Sequence, residues 1–99
     1  MTIKLVNRET EGELLLEGRL DSNTSPEAGE IFQQMAERFD RVILNMADLE
    51  YVSSAGLRIL THLHMTMRKK DGELVVKNVN RMIMEVFEIT GFVGLLKFE

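Results

Sequence analysis

Apolar residues in the first twenty positions form two short runs, Ile3-Lys4-Leu5-Val6 and Leu14-Leu15-Leu16-Glu17-Gly18-Arg19-Leu20, with Thr10-Glu11-Gly12 between them. Runs of this length separated by turn-forming residues predict two strands joined as a hairpin. The pattern then changes period. Thr24-Ser25-Pro26-Glu27 combines a hydroxyl N-cap candidate, an early proline and a glutamate three residues after Thr24, and so predicts a helix start. Ala28, Ile31, Phe32, Met35 and Phe39 recur at three- and four-residue spacing, one helical face, until Asp40-Arg41 ends it. Val42-Ile43-Leu44 follows without alternation, as a strand covered on both faces would.

A second helix is predicted from about Ser54 to Lys70, with Gly56, Leu60, Leu63 and Met67 on one face and Leu57, Ile59 and His64 at its margins. Arg68-Lys69-Lys70 set positive charge at the negative end of its dipole, and Gly72 suits a C-cap. Glu73-Leu74-Val75-Val76-Lys77 reads as another strand. From Asn80, the residues Met82, Ile83, Val86 and Phe87 predict a third amphipathic helix closing near Gly91. Val93 to Phe98 reads as a helical turn and an edge strand, and Met35, Met67, Met82 and Met84 read as core packing.

The predicted order is β-β-α-β-α-β-α with a short tail. Strands separated by helices imply right-handed crossovers and an α/β domain with a mostly parallel central sheet of four to five strands and three to four helices. The N-terminal hairpin adds one antiparallel strand. With the second and third strands parallel, the segments leaving their C-terminal ends lie on one side of the sheet. That makes Asp21-Ser22-Asn23-Thr24 and the stretch from Asp48 to Ser54 expected neighbours.

Composition narrows the chemistry. Ninety-nine residues suit one domain, here taken as residues 1–99, and 44% hydrophobic with 28% charged residues is ordinary for a globular chain. With no cysteine, disulfides, thiol nucleophiles and thiolate metal sites are excluded. A net charge of −4 argues against direct nucleic-acid binding, and the short basic run Arg68-Lys69-Lys70 is accounted for by the helix dipole. No apolar stretch approaches the roughly eighteen residues of a membrane span, and Met1-Thr2-Ile3-Lys4-Leu5 lacks a signal-peptide core, so a cytoplasmic protein without membrane association is expected.

Asp48-Leu49-Glu50-Tyr51-Val52-Ser53-Ser54-Ala55-Gly56-Leu57 is the least ordinary stretch of the chain. It leaves a strand, carries adjacent serines and opens a helix. A serine there can cap the helix with its side-chain oxygen. It can equally be a phosphorylation switch, because a helix N-terminus tolerates the roughly −1.5 to −2 charges of a phosphate. Gly56 in the first turn costs about 1 kcal/mol against alanine and predicts close approach of another backbone or of a partner. Ser54, Arg58, Thr61 and Met65, at i, i+4, i+7 and i+11, form a stripe pointing away from the apolar face.

Other chemistry has less behind it. His62 and His64 are two apart on a helix and point in different directions, so no metal site is expected. Neither a Walker A sequence nor Gly-x-Gly-x-x-Gly is present, and no cofactor is expected. Ser54 with Asp48 and Asp21 as a hydrolytic or phosphotransfer centre lacks a partner base at a credible spacing.

The segment from Asp48 to Leu57 resembles the signature of the STAS domain, in particular of bacterial anti-sigma factor antagonists. Gly18-Arg19-Leu20-Asp21, Gly72-Glu73-Leu74 and Phe87-Glu88-Ile89-Thr90-Gly91-Phe92 resemble further family motifs, in the family's order and across nearly the whole chain. The resemblance implies a non-enzymatic partner-switching module. It would bind an anti-sigma factor that is also a serine kinase, thereby releasing a sigma factor, and would be switched off by phosphorylation and restored by a serine phosphatase. Matched to the signature, the phosphorylated position falls on Ser54. The family's preceding acidic position is Ser53 here, which leaves Ser53 as an alternative acceptor. The partner-binding surface implied is Asp21, Ser22, Asn23 and Thr24 with Ser53, Ser54, Ala55 and Gly56, continued by Arg58, Thr61 and Met65. The competing expectation is a STAS scaffold subunit of a cytoplasmic or transport complex in which Ser54 is not phosphorylated.

Overall fold

A computed structural model describes residues 1–99. Five strands, Thr2–Arg8 (β1), Glu11–Leu20 (β2), Arg41–Val52 (β3), Glu73–Lys77 (β4) and Lys97–Phe98 (β5), form one sheet in the order β1-β2-β3-β4-β5. The β1–β2 pair is antiparallel and the other pairings are parallel. The helices are Ser25–Arg38 (α1), Ser54–Lys69 (α2) and Arg81–Ile89 (α3), with a 3-10 turn at Phe92–Gly94. The α/β fold expected from the sequence is the one observed.

Strand order that never reverses has a consequence. Successive right-handed crossovers put every helix on the same face of the sheet. The core shows this: Leu14, Leu16, Val42, Leu44, Leu74 and Val76 pack with Phe32, Met35, Leu60, Leu63, Ile83 and Phe87 in one cluster. Ile43 and Val75, one residue out of phase, are also buried but lie outside it. Charged side chains close over that second face. Glu13, only 4% exposed, bonds Lys77 Nζ at 3.1 Å, Arg8 at 3.4 Å and Asn45 Nδ2 at 3.3 Å.

Near its N-terminal end the sheet is tied by Arg41. Its guanidinium pairs with Glu11, with Glu73 at 3.1 Å and with Glu99 at 2.7 Å, and Lys97 meets Glu73 at 3.0 Å. Glu11 is held below its ordinary carboxylate pKa chiefly by its hydrogen bond to Arg41, and Glu73 by its bonds to Lys97 and Arg41.

Several local expectations are corrected. The hairpin turn is Glu9-Thr10, not Thr10–Gly12; Gly12 is already in β2, where a Cβ would fall 2.5–2.7 Å from Met35 and Phe39. Asp48–Val52 is strand rather than loop. Two register shifts against β2, between Leu15 and Glu17 and between Gly18 and Arg19, each give β3 an extra residue. These bulges move the core-facing positions of β3 from Val42, Leu44 and Met46 to Leu49 and Val52, hiding the alternation. Met82 is 61% exposed, not core, because the nine-residue α3 buries only Ile83 and Phe87. At the end of α2 the left-handed residue is Asp71 (φ 58), with Asp71 N–H bonding Arg68 O and Gly72 N–H bonding Met67 O. Gly72 is small because a Cβ would lie 2.9 Å from Asp40 O.

Candidate functional site

The site lies where β2 and β3 end side by side. Their last registered pair is Leu20 with Val52, and Ser53 N–H donates to Leu20 O at 2.9 Å. Val52 is buried, and one residue later the chain turns into α2. A Cβ on Gly56 would lie 2.8 Å from Leu20 O, so the first turn of α2 sits against the backbone of β2 and only glycine fits. The close approach expected of Gly56 is therefore internal to the chain.

The adjacent serines have different surroundings. Ser53 is the N-cap: its backbone is extended and its Oγ accepts from Gly56 N–H at 3.3 Å. Ser54 is the first helical residue, solvent-exposed, and its hydroxyl makes no hydrogen bond within the chain. No acidic residue occupies the first turn of α2, and the first helical bond runs from Leu57 N–H to Ser53 O. The amides of Ser54 and Ala55 thus precede any helical acceptor, and no charge within the first turn offsets the positive end of the dipole.

On the β2 side, capping is done differently from expectation. Thr24 stands at the N-cap position of α1, but its hydroxyl does not cap that helix; it donates to Arg19 O at 2.7 Å and accepts from Asp21 N–H at 2.9 Å. Asp21 Oδ1 accepts from the amides of Asn23 at 2.9 Å and Thr24 at 3.2 Å, a local turn that fixes the loop. Partial burial pushes the Asp21 carboxyl upward, but the Thr24 and Asn23 amides, the Thr24 hydroxyl and the Arg19 charge outweigh it and hold the pKa below the ordinary 3.8. Arg19 Nε lies 3.6 Å from Asp21 Oδ2, and its guanidinium sits 4.2 Å from the centre of the Tyr51 ring. This Arg19–Tyr51 pair extends the site, yet the sequence reading did not include it. Its signal was the register that sets residue 19 opposite residue 51, concealed by the bulges.

Of the expected surface, Ser22, Asn23, Ser54, Arg58 and Met65 are exposed, while Asp21, Thr24, Ser53, Ala55 and Thr61 are half-buried and Gly56 is buried. The strand-end segments 21–24 and 53–56 come together. Thr61 and Met65 lie farther down α2, Met65 about 16 Å along the axis from Ser54 at ~1.5 Å per residue, and the Thr61 hydroxyl is occupied by Leu57 O at 2.9 Å. Asp48 is not at this end: it pairs with Glu17, four residues before Val52, so Ser54, Asp48 and Asp21 do not form one centre.

The shape matters as much as the groups. Open α/β sheets hold ligands in the crevice where strand order reverses, and this sheet has no reversal. Ser54 is solvent-exposed and does not line the groove of about 450 Å³ between α1 and α2, which holds Phe32, Ile59 and Leu63 and meets the stripe only at Arg58.

The family model described as "Mlab, STAS domain" matches residues 4–97. The chain belongs to the STAS domain family. Among related STAS proteins, BtrV of Bordetella bronchiseptica, named for a proposed role as an anti-sigma factor antagonist, is 34% identical over 96 residues, covering 94% of this chain and 83% of BtrV. The anti-sigma-B factor antagonist of Staphylococcus aureus is 28% identical over 97 residues, covering 97% of this chain and 90% of its own. Among solved structures, Bacillus SpoIIAA in its phosphorylated form superposes with a TM-score of 0.78 at 15% identity, covering 99% of this chain and 91% of that one. No helix of this STAS domain is long and apolar enough to cross a membrane.

Proposed function

We propose that this STAS domain is an anti-sigma factor antagonist that works by partner switching, with Ser54 as the switch. The observation that carries the reading is the division of labour between two neighbouring serines. Ser53 commits its hydroxyl to the helix cap, whereas Ser54 presents an unengaged, exposed hydroxyl at the first position of α2. An exposed surface of two strand ends and a helix start, outside the α1–α2 groove, suits a protein partner better than a small substrate. The names of the relatives support an anti-sigma factor as that partner.

In this reading the partner is also a serine kinase. The Ser54 Oγ attacks the γ-phosphorus of ATP, the bond to the bridging oxygen breaks, ADP leaves, and the hydroxyl proton goes to a base supplied by the kinase. The product carries roughly two negative charges where the partner docks, which the helix start tolerates and a partner matched to a neutral serine does not. A serine phosphatase reverses the change by transferring the phosphoryl group to water. The complex forms in the compartment that holds sigma factors, the cytoplasm, without direct contact to nucleic acid.

The test uses the anti-sigma factor kinase of the same organism. Wild type and Ser53→Ala are expected to bind it and be released on addition of ATP; Ser54→Ala is expected to bind and stay bound. ATP-dependent release of Ser54→Ala at the wild-type rate would overturn the assignment.

A further inference from the structure

The cations around the switch are not equivalent. Arg19 is already engaged by the Tyr51 ring and Asp21. Arg58 is exposed and takes part in no ion pair. It lies four residues after Ser54 on α2. Helical side chains lean toward the N-terminus, so the longer side chain at i+4 reaches back over the residue at i. On α2 itself no acid competes for Arg58: the first turn contains none, and the carboxylate of the adjoining strand end, Asp21, is engaged by Arg19 and by the Asn23 and Thr24 amides.

We infer that Arg58 is the intramolecular partner of a phosphate on Ser54, folding back along α2 to bind it. The inference rests on the Ser54 switch reading and adds its regulation. A guanidinium binds phosphate through two parallel N–H bonds, which a lysine cannot reproduce. Phosphorylation then changes the docking stripe twice: it adds a dianion at Ser54 and withdraws the free cation at Arg58. It also ties the first turn of α2 to the second, so the phosphorylated protein is the more stable form rather than a damaged one.

The test installs phosphoserine at position 54 during translation, with no kinase involved, so a cell that never phosphorylates Ser54 does not affect the outcome. Thermal unfolding at low salt is compared with and without the phosphate in wild type, Arg58→Gln and Arg58→Lys. In wild type the phosphate is expected to raise Tm by about 3–6 °C, the scale of a strong local charge pair in a domain of this size. Arg58→Gln is expected to lose at least half of that rise, Arg58→Lys to keep an intermediate part, and 0.5 M NaCl to shrink the difference between wild type and Arg58→Gln. The Arg58 Nε–H resonance in wild type is expected to move downfield and exchange more slowly when the phosphate is present. An equal rise in wild type and Arg58→Gln, or an Arg58 resonance indifferent to the phosphate, would overturn the inference while leaving Ser54 as a switch acting on the partner alone.

Discussion

The two ends of the sheet treat charge in opposite ways. At the N-terminal ends of β2, β3 and β4, Arg41 gathers Glu11, Glu73 and Glu99, and Lys97 closes on Glu73, so these five charges are all paired. At the C-terminal ends of β2 and β3, Asp21 is spent on its own loop, Ser53 on a cap and Arg19 on Tyr51, while Ser54 and Arg58 are left free. The first end holds the sheet in register. The second exposes a helix start with no acidic side chain in its own first turn. A new charge at the second end therefore does least damage to the fold and most to a docked partner.

The largest expected effect joins the two strand ends directly. Gly56→Val puts a branched side chain within 2.8–3.2 Å of Leu20 atoms. It is expected to cost about 3 kcal/mol in urea unfolding, the upper range for overpacking. A loss below about 0.5 kcal/mol would mean that α2 does not press on β2 as described.

Arg41→Ala tests the paired end. Removing the shared cation leaves Glu99 unpaired and Glu11 and Glu73 with only Arg8 and Lys97, and is expected to lower Tm by about 5 °C, more than one exposed pair would. The pH dependence has a defined sign. Glu11 and Glu73 have folded pKa values below the ordinary 4.5, so their contribution is complete above pH 4.5 and is lost as pH falls through the lower folded values. Wild type is therefore expected to lose stability on acidification in that window, and Arg41→Ala to show a shallower slope, read from Tm against pH.

Neighbouring serines sharpen the contrast. Ser53→Ala removes the cap and is expected to cost about 1 kcal/mol, whereas Ser54→Ala, at an exposed position without a bond, is expected to fall within about 0.5 kcal/mol of wild type. Equal losses would erase the distinction between cap and switch. At the paired end, just before β4, Asp71→Gly relieves a positive φ and is expected to raise stability by about 0.4 kcal/mol in the same urea assay.

What the chain discloses before its structure follows from which signals are local. The helices were legible because Phe32 and Met35, or Leu60, Leu63 and Met67, repeat at a spacing set by backbone geometry alone. The full length of β3 was not, because two bulges break the alternation between Met46 and Val52, and their cause lies in pairing with β2. Thr24 misled for a related reason: its hydroxyl bonds Arg19 O and Asp21 N–H, partners set by how β2 ends. Met82 fits a helical stripe, but a nine-residue helix at the sheet edge buries only part of it. At the site, the helix start at Ser54 could be read from residues 48–57, whereas the Arg19–Tyr51 pair depends on a shifted register.

Whether Ser54 is the switch is read from phosphopeptide mapping of protein recovered from its own cells, with co-purifying chains identified in the same sample. Trypsin releases Val42–Arg58, which carries both serines, with Tyr51 as its one other hydroxyl. A single phosphate on Ser54 and a kinase-like partner enriched on the unmodified form are expected. A phosphate on Ser53, or an unmodified peptide across growth states with a constant ATP-insensitive partner, would contradict the Ser54 switch; the latter would make the domain a scaffold.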